Sequence, residues 1–152
     1  MSTIQLSFLE EPRLSRYADL LNLATRVGAT AGLVVREDPP VCADVRTRLD
    51  ALADSVMQVQ SVATWPGTEL LVGRASLYRL RLDARVLHYL SASVSGLYEW
   101  QAPTLPEDLA CWRPDGSLLL ASIAHERDAW LELRSGEEEH VTPSLREILL
   151  QT

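Results

Sequence analysis

Three consecutive residues, His125, Glu126 and Arg127, are the side chains of this sequence whose types could do acid–base chemistry together. Ser122 lies three positions before them. A histidine there could act as a general base, and an arginine could clamp an anionic group. The other interpretation is a polar hairpin turn whose charges cap the strand ends, and we favour it because the sequence places no further catalytic partner nearby. If the protein is an enzyme, these four residues are its candidate catalytic site.

No metal or cofactor site is predicted from residue spacing. The three histidines (His88, His125 and His140) form no pair at a metal-ligand spacing, and no cysteine–histidine zinc pattern occurs. The glycines form no dinucleotide-binding, phosphate-loop or nucleophile-elbow motif. All fourteen basic residues are arginine, which excludes mechanisms that need a Schiff-base or phosphate-loop lysine. The sequence therefore predicts a protein with no metal ion and no cofactor.

Two adjacent acids and two cysteines complete the set of reactive groups. Glu107 and Asp108 stand at the start of a predicted strand. Successive strand residues point to opposite faces, so we expect these two side chains to diverge. Cys42 and Cys111 form no CxxC pair. A free cysteine is most often a small buried apolar residue, and we expect this of both.

The catalytic candidates lie in the second turn of a predicted three-stranded meander. Three short apolar runs are typical of strands: residues 109–113, 118–124 and 129–133. Pro114-Asp115-Gly116 predicts the first hairpin turn, in which glycine supplies a positive φ angle. Residues 125–128 form the second turn. Trp112 and Trp130 are predicted to face each other across neighbouring strands.

The remaining elements follow from hydrophobic periodicity. Further strands are predicted at residues 4–8, 30–36 and 69–82, the first of them at a sheet edge. Helices are predicted after Pro12, over residues 41–59, after Asp83 and over residues 144–150. The helix over residues 41–59 has the most regular spacing, with valine or leucine at every third or fourth position.

This order of elements predicts a single α+β domain over residues 1–152. The meander makes an antiparallel sheet the expected core, with about four helices packed mainly on one face. A mixed sheet whose first half is wound as βαβ is the alternative, because helices alternate with strands there. No repeat or linker divides the chain.

The charge balance restricts the partners. The net charge is −7 and the isoelectric point is about 4.9, so the surface repels phosphate backbones and anionic lipid. We expect neither nucleic acid nor membrane as a direct partner, whereas a basic protein would be attracted. The first residues show no signal-peptide pattern, and no apolar run approaches the ~20 residues of a membrane span. These features, with two unpaired cysteines, predict a soluble cytoplasmic protein.

A partner-binding surface is predicted in the C-terminal half, where aromatic and acidic residues are concentrated. Tyr98 and Trp100 lie in a proline-bounded loop and are candidate interface anchors. The alternative is that they cover the edge of the core. The acidic candidates are Glu107, Asp108, Glu126, Glu137, Glu138 and Glu139.

Two distinctive pieces of this half are LPEDL at residues 105–109 and SIAHE at residues 122–126. With the chain from about Gly73 onward, they resemble segments of small acidic bacterial proteins of the immunity-protein type, which neutralise a neighbouring toxin. The resemblance implies a protein that binds another protein. It transfers no catalytic role onto any residue.

We therefore expect a non-enzymatic protein-binding module, in the form of an immunity protein or inhibitor that neutralises a cognate bacterial toxin. An acidic surface would speed its encounter with a basic toxin. The first alternative is a small enzyme or ligand-binding domain that uses His125, Glu126 and Arg127. The second is a structural subunit of a bacterial secretion or phage-defence assembly, which predicts a fixed stoichiometric complex and a large apolar patch.

Overall fold

Ten strands and four helices form the computed structural model, which describes residues 2–152. The strands are β1 (Thr3–Phe8), β2 (Thr30–Arg36), β3 (Val56–Val62), β4 (Thr64–Trp65), β5 (Thr68–Glu69), β6 (Ala75–Arg81), β7 (Glu107–Trp112), β8 (Leu118–Ile123), β9 (Asp128–Arg134) and β10 (Leu149–Gln151). The helices are α1 (Ser15–Val27), α2 (Ala43–Asp50), α3 (Ala84–Ser93) and α4 (Pro143–Arg146). Eight strands form one sheet in the order β10-β1-β9-β8-β7-β2-β6-β3, and β4 and β5 form a separate ribbon.

Every pairing in the eight-stranded sheet is antiparallel. The predicted α+β class is therefore confirmed, including the meander of β7, β8 and β9. The alternative mixed sheet is wrong, because β9, β8 and β7 lie between β1 and β2, which cannot be the parallel neighbours of a βαβ unit. The strand predicted at an edge, β1, lies between β9 and β10, and the edges are β10 and β3.

The helices cover one face of the sheet, here called the helix face. In β2, Ala31, Leu33 and Val35 point to this face and pack in the main core, whereas Val34 points to the other side. The helices contribute buried leucines to the same core: Leu20 and Leu23 from α1, Leu49 from α2 and Leu90 from α3. In the core, every second residue of a strand thus packs against the apolar side of a helix.

The opposite face, here called the outer face, carries the side chains of Val34 and Trp112 and is only partly covered. The ribbon of β4 and β5 lies over it, and Trp65 of the ribbon is buried against those two residues. At the ribbon turn, a Cβ added to Gly67 would lie 2.7 Å from the side chain of Ile123 in β8. The ribbon therefore crosses the outer face from β2 to β8, and glycine permits the close contact.

The helix predicted over residues 41–59 is wrong in its second half. α2 ends at Asp50, and Val56–Val62 form β3, which pairs with β6. Val56, Val59 and Val62 recur at every third position, which fits one side of a helix. Valine is nevertheless β-branched and favours strands, and β6 offers the backbone groups of an unpaired edge. These two effects outweigh the helical spacing.

Two smaller predictions also differ from the structure. α4 is shorter than the helix predicted over residues 144–150, because the last residues pair with β1 as β10. Trp112 and Trp130 do not face each other, because β8 separates β7 from β9, and Trp130 pairs with Ala121.

The predicted strand Thr30–Arg36 and the predicted cap of the third helix are confirmed. Asp83 accepts a hydrogen bond from the backbone N–H of Val86 at 3.0 Å, which caps α3. The hydroxyl of Ser55 donates to the same carboxylate. This hydrogen bond is the largest cause that holds the pKa of Asp83 below its usual range. The cap therefore also connects the start of β3 to α3.

Candidate functional site

A bulge in β7 brings Glu107 and Asp108 together. Gly32 of β2 pairs with Ala110 and Val34 pairs with Glu107, so β7 has one more residue than β2 across this interval. Asp108 takes a positive φ of 60°, a conformation that Asp adopts more readily than most residues. The two carboxylates lie within 4.8 Å of each other. The expectation that these side chains diverge is therefore wrong, because the extra residue interrupts the alternation of faces.

Asp108 is buried, and two donors hold its carboxylate. Oδ2 accepts a hydrogen bond from the indole Nε1 of Trp65 at 2.9 Å, and Oδ1 accepts one from the backbone N–H of Ala124 at 2.9 Å. The first donor belongs to the ribbon, and the second belongs to the 3-10 turn Ala124–Glu126 after β8. Asp108 therefore fixes both of these elements to the start of β7.

Glu107 pairs with Arg36 at the end of β2. The guanidinium Nε donates to Oε1 of Glu107 at 2.8 Å, and the same guanidinium lies 5.2 Å from the ring centre of Trp65. Burial raises the pKa of Glu107 above its usual range, and the hydrogen bond and charge of Arg36 oppose this only in part. A desolvated carboxylate beside a specific charge partner is typical of functional sites.

His125 completes the cluster from the exposed turn after β8. One of its ring nitrogens lies within 4.8 Å of a carboxylate oxygen of both Glu107 and Asp108. Two clefts of about 250 and 430 Å³ open here, and Arg36 and His125 line both of them. The wall that they share thus offers an imidazole and a guanidinium, and Glu107 adds a carboxylate to the smaller cleft. Such a set can bind a cation, or move a proton to or from a bound ligand.

Of the four residues predicted as a catalytic set, two border these clefts. His125 borders both, and Glu126 borders the larger one. Ser122 is buried, and its hydroxyl donates to a backbone carbonyl of β7 at 2.7 Å. The guanidinium of Arg127 pairs with Glu11 at 3.4 Å. Ser122 and Arg127 therefore border neither cleft, and the buried acids of β7 lie beside His125 instead.

Four of the eight predicted partner-binding residues are buried. Tyr98 and Trp100 are 3% and 0% exposed, so the expectation that they are interface anchors is wrong. They pack in the main core, where the indole Nε1 of Trp100 donates to the hydroxyl of Tyr17 at 3.2 Å. Glu107 and Asp108 belong to the cluster described above and are 6% and 2% exposed, so they do not lie on an open protein-binding surface.

The other four predicted partner-binding residues do not form one patch. Glu126 lies before β9, whereas Glu137, Glu138 and Glu139 follow it. Glu137 pairs with the buried Arg113. The remaining acids lie at opposite ends of a seven-residue strand, which places them roughly 20 Å apart at ~3.3 Å per residue.

The two cysteines differ in their surroundings. Cys111 is buried, as predicted, and burial raises the pKa of its thiol to about 12, so this thiol stays protonated and unreactive. Cys42 is exposed, so the expectation that it is buried is wrong. It lies at the start of α2, where the chain turns onto the surface.

The edge strand β3 is a second surface of interest. Its five central residues are exposed, and VMQVQSV contains neither a charge nor a proline. Met57 and Val59 are 56% and 51% exposed. The pairing with β6 is regular from Gln58 to Val62. Natural edges usually carry charges or proline that prevent further pairing. This edge is therefore open to another strand up to Ser61, whose backbone carbonyl already accepts a hydrogen bond from Arg74 at 2.8 Å.

A cleft of about 390 Å³ lies on the outer face beside the start of β3. In it, the guanidinium of Arg79 lies 3.9 Å from the ring centre of Trp112. None of the ion pairs formed within residues 2–152 involves Arg79. The ring lies close to the sheet because Gly32 has no side chain, and a Cβ there would lie 2.4 Å from the indole. Thr30 and Gln58 add a hydroxyl and an amide to the cleft.

In comparisons with known proteins, the chain matches no family model, no curated protein and no solved structure. The resemblance to immunity proteins therefore stays a prediction. Within the part of the chain that the structure describes, no helix has the length and apolar character needed to cross a membrane. The functional inference consequently depends on the geometry of the two surfaces.

Proposed function

We propose that the protein is a non-enzymatic protein-binding module that takes an extended segment of its partner as an additional strand along β3. The observation that carries this proposal is the uncharged and exposed edge at Val56–Val62. In strand addition, main-chain hydrogen bonds give affinity, and pockets for alternate side chains give specificity. The edge of β3 offers backbone groups for such hydrogen bonds, and the cleft beside Met57 and Gln58 offers a side-chain pocket.

The cleft defines the chemistry of the incoming segment. Arg79 is stacked on Trp112 and has no acidic partner among residues 2–152, so it favours a carboxylate. The hydroxyl of Thr30 and the amide of Gln58 can donate to the same group. The proposed partner segment is therefore extended, rich in β-branched or aromatic residues, and acidic where it passes Arg79.

An immunity protein or toxin inhibitor is one form of this function. Its support is the net charge of −7, which is concentrated in residues 86–152. That region holds eleven of the twenty-one acidic residues and four of the fourteen arginines. The charge attracts a basic partner at long range, so the association rate should fall steeply as salt increases. An association rate that does not change with ionic strength would exclude the immunity-protein or inhibitor form of this function. A subunit of a larger assembly would use the same edge in a permanent complex.

Selection from a random peptide library tests strand addition with a defined probe. The selected peptides should carry an acidic residue within a β-prone run, and their binding should shift the NMR signals of the Val56–Val62 amides. A charge at an edge strand opposes pairing, so Val59→Lys should weaken binding by about tenfold, or ~1.4 kcal/mol. Arg79→Gln should remove the preference for an acidic residue.

Leu71→Lys is the matched control, because it also replaces an exposed apolar side chain by lysine, at a 97% exposed residue outside β3. It should bind the peptides as the wild type does. Equal binding by wild type and Val59→Lys, or shifts confined to other strands, would overturn the proposal. A concentration-dependent dimer that Val59→Lys abolishes would assign the edge to a second copy of the chain and would also overturn it.

A small ligand-binding or catalytic domain is the second candidate function. The convergence of Glu107, Asp108 and His125 beside two clefts favours it. In an NMR screen of small polar fragments, a ligand of this site should shift the amides of Arg36 and Ala124 while β3 stays unchanged. A screen that leaves both amides unshifted would count against this candidate.

A further inference from the structure

We propose that Glu107, Asp108 and His125 form a binding site for one divalent first-row transition-metal ion, and Zn²⁺ is the ion that we expect. This goes beyond strand addition and does not depend on it. The cluster lies beside Arg36, at one end of β2, whereas the cleft next to β3 is lined by Thr30 at the other end. Failure of one proposal therefore leaves the other intact.

The donor atoms are already close to a coordination arrangement. One carboxylate oxygen from each acid and one imidazole nitrogen of His125 lie within 4.8 Å of one another. Tetrahedral ligands at ~2.1 Å from zinc are about 3.4 Å apart, so binding requires a small closure of the cluster. His125 is exposed and can move by a change of rotamer. The two carboxylates are buried and provide the fixed side of the site.

The charges of the cluster are not balanced by the protein itself. Glu107 and Asp108 are 6% and 2% exposed, and Arg36 is the one cation that pairs with them among residues 2–152. Its guanidinium reaches one oxygen of Glu107. The other oxygen accepts no hydrogen bond within that part of the chain. Glu107 lines the cleft of about 250 Å³, so a cation that enters the cleft can bind to this free oxygen together with the carboxylate of Asp108.

Asp108 has the surroundings of a metal-ligating carboxylate. The indole of Trp65 and the backbone N–H of Ala124 donate to it, and such outer hydrogen bonds fix the orientation of ligands. Two carboxylates with one imidazole suit Zn²⁺ and its neighbours, whereas Mg²⁺ and Ca²⁺ prefer oxygen alone. Three protein ligands leave a fourth position for water or a small ligand from the adjoining clefts.

The test uses the full chain after treatment with EDTA. Co²⁺ is added while the visible absorption of the coordinated ion is recorded, and Zn²⁺ is titrated by calorimetry. We expect one ion per chain and a loss of affinity of roughly tenfold or more in His125→Ala and Glu107→Gln. His88→Ala removes an exposed histidine outside the cluster, and Cys42→Ser removes the exposed thiol. Both controls should bind as the wild type does.

Zn²⁺ should also raise the thermal midpoint of the wild type more than that of His125→Ala, because the stabilisation by a ligand falls as its affinity falls. If Glu107→Gln does not fold once Arg36 loses its partner, His125→Ala decides the question, since this side chain is exposed. Absence of binding at millimolar metal, or unchanged affinity in His125→Ala, would overturn the proposal. Loss of binding in His88→Ala or Cys42→Ser would assign the ion elsewhere and overturn it as well.

Discussion

Replacement of Glu137 by glutamine is the substitution whose effect the structure defines most sharply. Arg113 is 4% exposed, and its guanidinium donates to both carboxylate oxygens of Glu137, through Nε at 2.9 Å and through Nη2. Its other N–H groups donate to the carbonyls of Leu118 and Glu132. The backbone N–H of Arg134 also donates to Glu137, at 2.7 Å. Among residues 2–152, Glu137 is thus the one counter-ion of a buried cation.

Glu137→Gln removes the negative charge and one acceptor oxygen while it keeps the volume of the side chain. Removal of one partner of a buried ion pair costs about 3–5 kcal/mol, because the other charge is left uncompensated. The side chain of Glu137 is 17% exposed, so water replaces part of the lost interaction and we expect a loss of about 3 kcal/mol. For a chain of 152 residues, this lowers the thermal midpoint by roughly 6–12 °C.

Calorimetry at neutral pH measures this change, and Glu139→Gln is the control. The side chain of Glu139 is 74% exposed, so its replacement should move the midpoint by less than about 2 °C. Equal midpoints for the two variants would refute the ion-pair argument.

Acid provides a second check on the same pair. Arg113 holds the pKa of Glu137 below its usual range. A lowered carboxylate pKa stabilises the fold above the ordinary glutamate pKa of ~4.3, and the stabilisation is lost as the pH falls through the lowered value. The difference in midpoint between wild type and Glu137→Gln should therefore narrow in acid. A difference that stays constant with pH would contradict the assigned cause.

Two further predictions concern the core and the outer face. The hydroxyl of Tyr98 is buried without a hydrogen-bond partner in the described chain, so Tyr98→Phe should be neutral or stabilising by up to about 1 kcal/mol in chemical denaturation. Tyr17→Phe removes a donor that lies 2.7 Å from the carbonyl of Leu90 and should destabilise the protein by about 1–2 kcal/mol. A Tyr98→Phe variant less stable than Tyr17→Phe would contradict the hydrogen-bond assignment. Gly32→Val places a Cβ 2.4 Å from the Trp112 ring and should destabilise by about 1–3 kcal/mol, with a change in near-UV circular dichroism. Unchanged stability and spectrum would contradict the position of this ring.

The parts of the fold that depend on local pattern could be predicted from the sequence. Thr30–Arg36 and the strands of the meander are apolar runs bounded by turn residues, and Gly116 takes the positive φ, 86°, that its turn requires. β3 could not be predicted in this way. The spacing of Val56, Val59 and Val62 favours a helix and their β-branched side chains favour a strand. The strand forms because β6, which lies later in the chain, pairs with this segment. The hydrophobic periodicity of a short segment carries no information about the strand with which that segment pairs.

The candidate site could be predicted only in part. His125 is identifiable because it is a titratable residue in a turn. Its meeting with Glu107 and Asp108 depends on one extra residue in β7 and on the pairing of β7 with β2, neither of which a single strand reveals. One local signal was present, since two acids open a strand whose remaining residues are LACW. Acids that enter an apolar strand together require buried partners, which here are Arg36 and Trp65.

Both candidate surfaces depend on the same pair of strands. Toward one end of β2, Gly32 makes room for the Trp112 ring on which the cation of the β3 cleft is stacked. Toward the other end, the bulge at Asp108 gathers the carboxylate cluster, and the register of β2 against β7 changes between Gly32 and Val34. A side chain at Gly32 that displaces β7 should therefore weaken peptide binding and metal binding together, whereas Val59→Lys should affect peptide binding alone. Metal affinity that is unchanged in Gly32→Val would show that the bulge holds its position independently of the neighbouring ring.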